Sequence, residues 1–183
     1  MITQPIETQR LRIRPFRQED WRAVYAYVSD PIVATYTPDG PMTAEQTQVY
    51  IDKQISADKP HAYALLLKAA NDQADEQFIG HMVFHPWFEQ RTYEIGWTIH
   101  PAYQRQGYAT EAAAALLHYG FAEMKLHRII ATCQPENVAS YRVMEKIGMR
   151  REGHFQQCIY RGDDQWWDEY FYAMLAQEWF KSE

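Results

Sequence analysis

The stretch Tyr93-Glu94-Ile95-Gly96-Trp97-Thr98-Ile99-His100-Pro101, continued by Ala102-Tyr103-Gln104-Arg105-Gln106-Gly107-Tyr108-Ala109-Thr110-Glu111, decides the fold. Its first half has the period of a strand. Tyr93, Ile95, Trp97 and Ile99 fall on one bulky apolar face, and Glu94, Gly96 and Thr98 on a small polar one. Such a strand packs on a core and floors a cleft. Pro101 ends it, a short polar loop holding Gly107 follows, and a helix begins at once. Ala109, Ala112, Ala113, Leu116, Leu117, Phe121 and Met124 recur there at helical spacing. The alanines let that helix lie close to the sheet.

A loop of this kind binds anions. The first helical turn has N–H groups without intrahelical partners, and the helix dipole adds partial positive charge. Gly107 can adopt positive φ and has no side chain to obstruct a ligand. A pyrophosphate fits such a place. The loop lacks the Gly-Lys-Ser/Thr ending of a P-loop and has one glycine where the dinucleotide fingerprint has three.

The rest of the chain narrows the reading. Its 183 residues suit one domain, spanning 1–183, and no repeat, linker or low-complexity segment divides it. A net charge of -6 argues against nucleic acid as a main partner and suits a cationic acceptor. An aromatic fraction of 15% suggests aromatic-lined cavities. Cys133 and Cys158 lie in strand-like runs and read as buried reduced thiols. With no transmembrane-length apolar run and no signal pattern, a cytosolic protein without a membrane partner is expected. The histidines at 61, 81, 85, 100, 118, 127 and 154 are scattered without ligand spacing, so no metal is expected.

In chain order, Thr8 to Phe16 alternates apolar and basic residues, as a strand exposed on one side. A helix starts at Arg17-Gln18-Glu19-Asp20, with Trp21, Val24, Tyr25 and Val28 inward, and stops at Ser29-Asp30-Pro31. A loop from Ile32 to Met42 leads to a helix capped by Thr43, with Val49 and Ile55 on its buried side. His61 to Lys68, a polar turn over 69–76, and Gln77 to Phe84 read as a hairpin, with Gly80 marking a bulge or close approach. After the central helix, His127 to Cys133 is a buried strand, so strand, helix and strand form a right-handed crossover with two parallel strands. Asn137 caps the next helix, which ends before Gly148. Strands from Met149 to Tyr160 and Trp166 to Leu175, joined by a turn over 161–164, close the pattern, and a short tail follows.

Four sets of residues carry a family resemblance. Gln104-x-x-Gly107-x-Ala109 resembles the acyl-CoA loop of the GCN5-related N-acetyltransferase (GNAT) superfamily. The opening Thr8-x-Arg10-Leu11-x-Ile13-Arg14-Pro15-Phe16-x-x-Glu19-Asp20 is similar to the start of its RimJ/RimL branch. So is Asn137-x-x-Ser140 followed by Glu145-Lys146-x-Gly148-Met149, with Met149 where that branch usually has Phe, and so is the run from Trp166 to Tyr172. The resemblance covers nearly the whole chain. It implies an α/β (α+β) fold with a mixed, mostly antiparallel sheet, a splayed parallel strand pair and flanking helices. It also implies an acetyl-CoA-dependent N-acetyltransferase acting on an amine, either a small molecule or a protein N-terminus. A homodimer is compatible with it. The rival from another class is a non-catalytic acyl-CoA-binding sensor.

The chemistry sets four tasks: anchor the donor, hold the oxyanion, deprotonate the acceptor ammonium and protonate the leaving thiolate. The resemblance puts the donor against Ile99, Gln104, Arg105, Gln106, Gly107, Tyr108, Ala109, Thr110 and Asn137. It places the pantetheine arm between the splayed strands and the oxyanion at a backbone N–H near Gly96 or Trp97. Ser140, in the first turn of its helix, is the expected thiolate proton donor, with Tyr141 as neighbouring alternative and helix capping as the plainer role. Glu94 is the expected base, with Asp168 and Glu169 as rivals. Tyr36, Trp87, Trp97, Trp166, Trp167 and Asp168 are expected at the acceptor, whose positive charge aromatic faces and carboxylates attract. Neither cysteine sits where a helix N-terminus would activate it, so direct attack of the amine on the thioester is expected.

Overall fold

The computed structural model describes residues 2–37, 40–69, 76–88 and 91–182. Its strands are β1 (Ile6–Glu7), β2 (Leu11–Arg14), β3 (Ala62–Leu67), β4 (Gln77–Pro86), β5 (Thr92–Ile99), β6 (Arg128–Cys133), β7 (Arg150–Gly162) and β8 (Gln165–Leu175). Its helices are α1 (Trp21–Val28), α2 (Ala44–Ser56), α3 (Tyr108–His118), α4 (Val138–Lys146) and α5 (Ala176–Ser182). The strands form one sheet in the order β1-β2-β3-β4-β5-β6-β8-β7. β5 and β6 run parallel, joined through α3, and the other neighbours are antiparallel. The expected polar turn before Gln77 falls mostly outside the described residues, as do Pro38 and Asp39 of the loop before α2.

Helices cover both faces of the sheet. On one, Ile95, Ile99, Ile129 and Ala131 pack against Ala112, Ala113, Leu116 and Leu117 of α3 and Met144 of α4. The small side chains at 112 and 113, both fully buried, hold α3 close to the strands. On the other face, Val24, Tyr27 and Val28 of α1 and Ile51 of α2 pack on Ala62, Ala64 and Leu66. Gly80 brings two strands together. A Cβ there would stand 2.3 Å from the Thr98 carbonyl oxygen, and the β3–β4 register slips beside it, as the glycine suggested.

Several expectations about faces need correction. Tyr27, not Tyr25, is the inward aromatic of α1, and Tyr25 is exposed. The buried stripe Val24, Tyr27, Val28 keeps i, i+3, i+4 spacing, and Tyr25 lies off it. In α2 the buried positions are Thr47 and Ile51, while Val49 and Ile55 are exposed. The Thr43–Gln46 capping box sets the start of that helix and rotates Val49 and Ile55 outward. Arg14 is buried and not part of an exposed basic face. Its two terminal nitrogens bind the carboxylate of Asp20 at 2.7 and 2.9 Å, tying β2 to the start of α1. Cys158 is exposed, because β7 is the sheet's edge strand; Cys133 is buried as expected. The C-terminal tail is helical, as α5.

His81 sits beneath α1, with its Nδ1 2.6 Å from the Tyr27 hydroxyl oxygen. Burial pulls its pKa down to about 4. An unfolded histidine titrates near ~6.5, so between the two values the unfolded chain holds a proton that the folded chain lacks. Stability is therefore undiminished above the upper value and falls as pH drops through this window, by about 3 kcal/mol in all. Urea unfolding at stepped pH should show this slope in the native protein and its loss in His81→Gln. An identical slope in both would mean that the folded protein protonates this ring freely.

Candidate active site

The loop after β5 is built from its own side chains. His100 Nδ1 accepts from the Ala102 N–H, starting a tight turn over 101–103. Gln104 Nε2 donates to the Ile99 carbonyl at 3.0 Å, and Gln106 Nε2 to the Ala102 carbonyl at 3.1 Å. Arg105 at φ +63° and Gly107 at φ +83° both take the left-handed conformation. Two such residues around Gln106 curl the backbone into a concave N–H surface. The Glu111 N–H closes the first turn on the Gly107 carbonyl. The N–H groups of 108–110, in the first turn of α3, have no intrahelical partner.

Arg10 braces this loop from behind. Its guanidinium donates to the Gln106 carbonyl at 3.1 Å, lies over the Tyr108 ring and pairs with Glu111 at 2.6 Å. Glu111 also accepts from the Thr8 hydroxyl and the Arg10 N–H. These donors hold its carboxyl below the usual range against the opposing effect of burial. It thus joins the N-terminal hairpin to α3 besides favouring the helix dipole. Arg10 was not singled out as part of this site in the sequence, although it belongs to the opening motif.

The parallel pair splits just above this loop. β5 and β6 pair only from Thr92↔Arg128 to Glu94↔Ile130. Beyond that point β5 stays with β4 and β6 with β8, so a gap opens between them. The Trp87 N–H donates to the Thr92 carbonyl and the His100 N–H to the Ile79 carbonyl, and the register between is unbroken. Even-numbered residues of β5 therefore face their main chain to β4, while Ile95, Trp97 and Ile99 face theirs to the gap. Of Gly96 and Trp97, it is Trp97 whose N–H points there.

A cleft of about 740 Å³ runs through this gap. Trp97, Thr98, Ile99, Gln104, Arg105 and 107–110 line one edge, and Asn137, Ser140, Arg142, Val143 and Lys146 the other. Tyr36 and Asp30 close it from the α1 side. Arg105, Arg142 and Lys146 give the mouth positive charge suited to phosphate. Arg142 and Lys146 are one helical turn apart on α4, an i, i+4 basic pair legible in the sequence but not singled out. A shallower depression of about 500 Å³ on the outside of α2 is lined by Met42, Val49, Tyr50 and Lys53, far from the split strands.

At the second edge, Asn137 Oδ1 accepts the Ser140 N–H at 3.2 Å, so Asn137 caps α4. Ser140 lines the cleft, and its side chain lies near the Cys133 thiol, whose pKa it lowers against the larger effect of burial. Burial pushes that thiol up to about 11, so it stays protonated near neutral pH and is a poor nucleophile. Tyr141 instead packs its ring edge-on against Tyr170, 5.9 Å away.

Glu94 stands where the strands part. The Thr132 hydroxyl donates to its Oε1 at 3.4 Å, and His85 Nε2 lies 3.5 Å from its Oε2. Burial raises its pKa, His85 and Thr132 oppose the rise, and Glu169 adds to it. Asp168 lies elsewhere. It accepts from the Gln157 N–H at 2.8 Å and from His154 Nε2 at 2.6 Å, and these bonds hold its carboxyl low.

The alternation of β8 explains that separation. Trp167, Glu169 and Phe171 face the side of Glu94, while Trp166, Asp168 and Tyr170 face the other. The Trp167 ring lies 5.7 Å from that of Tyr36, and Arg161 stacks over Trp167 while donating to the carbonyls of Thr35 and Thr37 at 3.2 Å. The outer hairpin thus holds the Tyr36 segment in place. Trp166 packs on Tyr160 and is half exposed; Trp87 adjoins Phe88 on the surface. Of the expected site residues, Glu94, Gln106, Trp87, Trp166, Trp167 and Asp168 do not line the cleft, whereas Tyr36 and Trp97 do; Glu94 lies just below it, where β5 and β6 are still paired.

Among the described residues no group of three or more His, Cys, Asp or Glu side chains is arranged to hold a metal ion, and no helix is long and apolar enough to cross a membrane.

A parallel pair that splits beside a loop opening a helix matches the arrangement that the sequence resemblance implies for an acyl-CoA-dependent transferase fold. Residues 10–150 match the acetyltransferase (GNAT) domain family, and the chain belongs to it. It is 52% identical over 174 residues to YnaD of Bacillus subtilis strain 168, an uncharacterized N-acetyltransferase, covering 95% of this chain and 98% of that protein. The crystal structure of a GNAT-family acetyltransferase from Bacillus anthracis is 51% identical, with a TM-score of 0.89 over 96% of this chain and all (100%) of that one. That of spermidine N-acetyltransferase from Vibrio cholerae, in complex with CoA and spermine, is 19% identical with a TM-score of 0.78, covering 94% and 99%; this is a likeness of fold alone.

Proposed function

We propose that the protein is an acetyl-CoA-dependent N-acetyltransferase of the RimJ/RimL type that acetylates a primary amine by direct attack on the thioester. The observation that carries this is one cleft joining the loop before α3 to the gap between β5 and β6, with Glu94 at the last paired position before the strands part. The N–H groups of 105–110 would hold the pyrophosphate, with Arg105, Arg142 and Lys146 around it. The gap-facing N–H of Trp97 would bind the carbonyl oxygen as it becomes an oxyanion. Glu94, made more basic by burial than a solvated carboxylate, would take the ammonium proton, directly or through water. Ser140 would protonate the leaving thiolate. A non-catalytic acyl-CoA sensor is not favoured, since it would have no use for a buried carboxylate on the acceptor side of the split strands.

The acceptor is read as a cation before reaction. Tyr36 and Trp167 present aromatic faces, and Glu94 and Glu169 supply negative charge. A peptide or ribosomal-protein α-amine and a small-molecule amine both fit. The test is an acceptor screen at several pH values, followed by thioester loss. An α-amine titrates near ~7.7–8.0 and a lysine amine near ~10.4, so turnover of peptide N-termini should persist to lower pH than that of lysine-like amines. Turnover of hydroxyl compounds with no amine active would overturn the acceptor assignment.

A further inference from the structure

We propose that His85 carries away the proton that the acceptor loses to Glu94, so that the two side chains work as a one-proton pair. This rests on the reading of Glu94 as the base. Acetyl transfer from a thioester to an ammonium yields an amide, a thiol and one proton. The nitrogen gives up two protons, and the thiolate takes one. The other must reach solvent in every turnover. A route leading away from the bound donor and acceptor would carry it without crossing the reacting atoms.

The geometry provides such a route. His85 and Glu94 are direct partners across β4 and β5, so their side chains share one face of the sheet. The two carboxylate oxygens are distinguished: Thr132 donates to Oε1, and Oε2 faces His85. His85 Nδ1 lies 2.9 Å from the Pro86 carbonyl. A carbonyl can only accept, so this nitrogen carries the ring proton. In the neutral ring, Nε2 is then a bare lone pair aimed at Oε2 from 3.5 Å. A carboxylate and a lone pair repel at that range, whereas one shared proton turns the contact into a hydrogen bond. A proton taken by Glu94 passes from Oε2 to Nε2, and the imidazolium gives it to water. Apo contacts of this kind tighten when the site is occupied.

The surrounding groups suit this role. Glu169, from β8, adds negative charge near Glu94 and favours its taking a proton. His61, just before β3, stacks on His85 at 4.8 Å and is exposed. Partial desolvation against its neighbours, and then the charge of His85, lower its pKa, so it competes less well for a proton than an isolated imidazole.

The experiment compares native protein, His85→Gln and Glu94→Gln with an amine found active in the acceptor screen. His85→Gln should lower kcat roughly 10-fold, a barrier rise of about 1.4 kcal/mol, with KM for acetyl-CoA unchanged and with part of the rate restored by added imidazole. Glu94→Gln should lose on the order of 10²-fold without imidazole rescue. If Glu94→Gln is impaired and His85→Gln keeps the native kcat, or loses it with a raised KM and no rescue, the relay is overturned. If Glu94→Gln is unimpaired, the base reading itself fails. Nitrogen-15 NMR of the ligand-free native protein tests the relay without any variant. The neutral ring of His85 should carry its proton on Nδ1, and a proton on Nε2 overturns the proposal.

Discussion

Gly107→Val will remove acetyl-CoA binding from a protein that still folds. Gly107 stands at φ +83° as the cap of α3. A branched residue resists that conformation, at a cost on the order of 1–2 kcal/mol. The added carbon has little to hit, since an ideal Cβ would meet only Arg10 Nη2, at 3.5 Å. Destabilisation should therefore be modest, about 2–8 °C in Tm for a chain of this size. The loss of ligand should be larger, because the branches cover the N–H groups that a pyrophosphate would approach. Hydrogen bonds to charged groups contribute about 1.5–3 kcal/mol each, so losing two weakens binding by roughly 10²-fold or more. Gly107→Ala should fall between, since a methyl group fits but the backbone strain remains. Calorimetric titration, with circular dichroism to confirm the fold, makes the comparison. Native affinity in a folded valine variant would show that the anion does not bind here.

Ser140→Ala should lower kcat on the order of 10²-fold while leaving acetyl-CoA affinity nearly unchanged, because leaving-group protonation matters mainly in the transition state. The structure separates this role from capping. Asn137 Oδ1 accepts the backbone N–H of Ser140, and alanine keeps that N–H. Stability should therefore change little. The kinetic defect should also shrink as pH rises above about 8.5, near the ordinary thiol pKa, where an unprotonated thiolate leaves more readily. A helix cap would produce no such pH dependence. Unchanged kcat in the variant would return the role to another donor.

The acceptor wall shows how far linear pattern reaches. Trp166 and Trp167 were equally eligible from sequence. Only the β8 register decides that Trp167 meets Tyr36 while Trp166 meets Tyr160. A shift of one residue would exchange them, because neighbours on a strand face opposite sides. Asp168 and Glu169 are divided in the same way. The outward turn of Val49 and Ile55 likewise depends on where the Thr43–Gln46 cap starts the helix, and a small phase error there rotates a whole stripe.

What the sequence determined by itself was local. The strand-loop-helix corner, Gly107 at its bend and the Asn137 cap each depend on residues within one turn or one strand of each other. Conformational preference and helix-end hydrogen bonding act at that range. Tertiary structure alone decided what stands opposite what. It split β5 from β6 after Glu94, turned the Trp97 N–H into the gap, set Arg10 behind Gln106 and put His85 Nε2 before Glu94 Oε2. The physical reason is that these contacts join strands and loops distant in the chain. Their partners are selected by sheet register and by packing on α3, and no local preference of either residue encodes them.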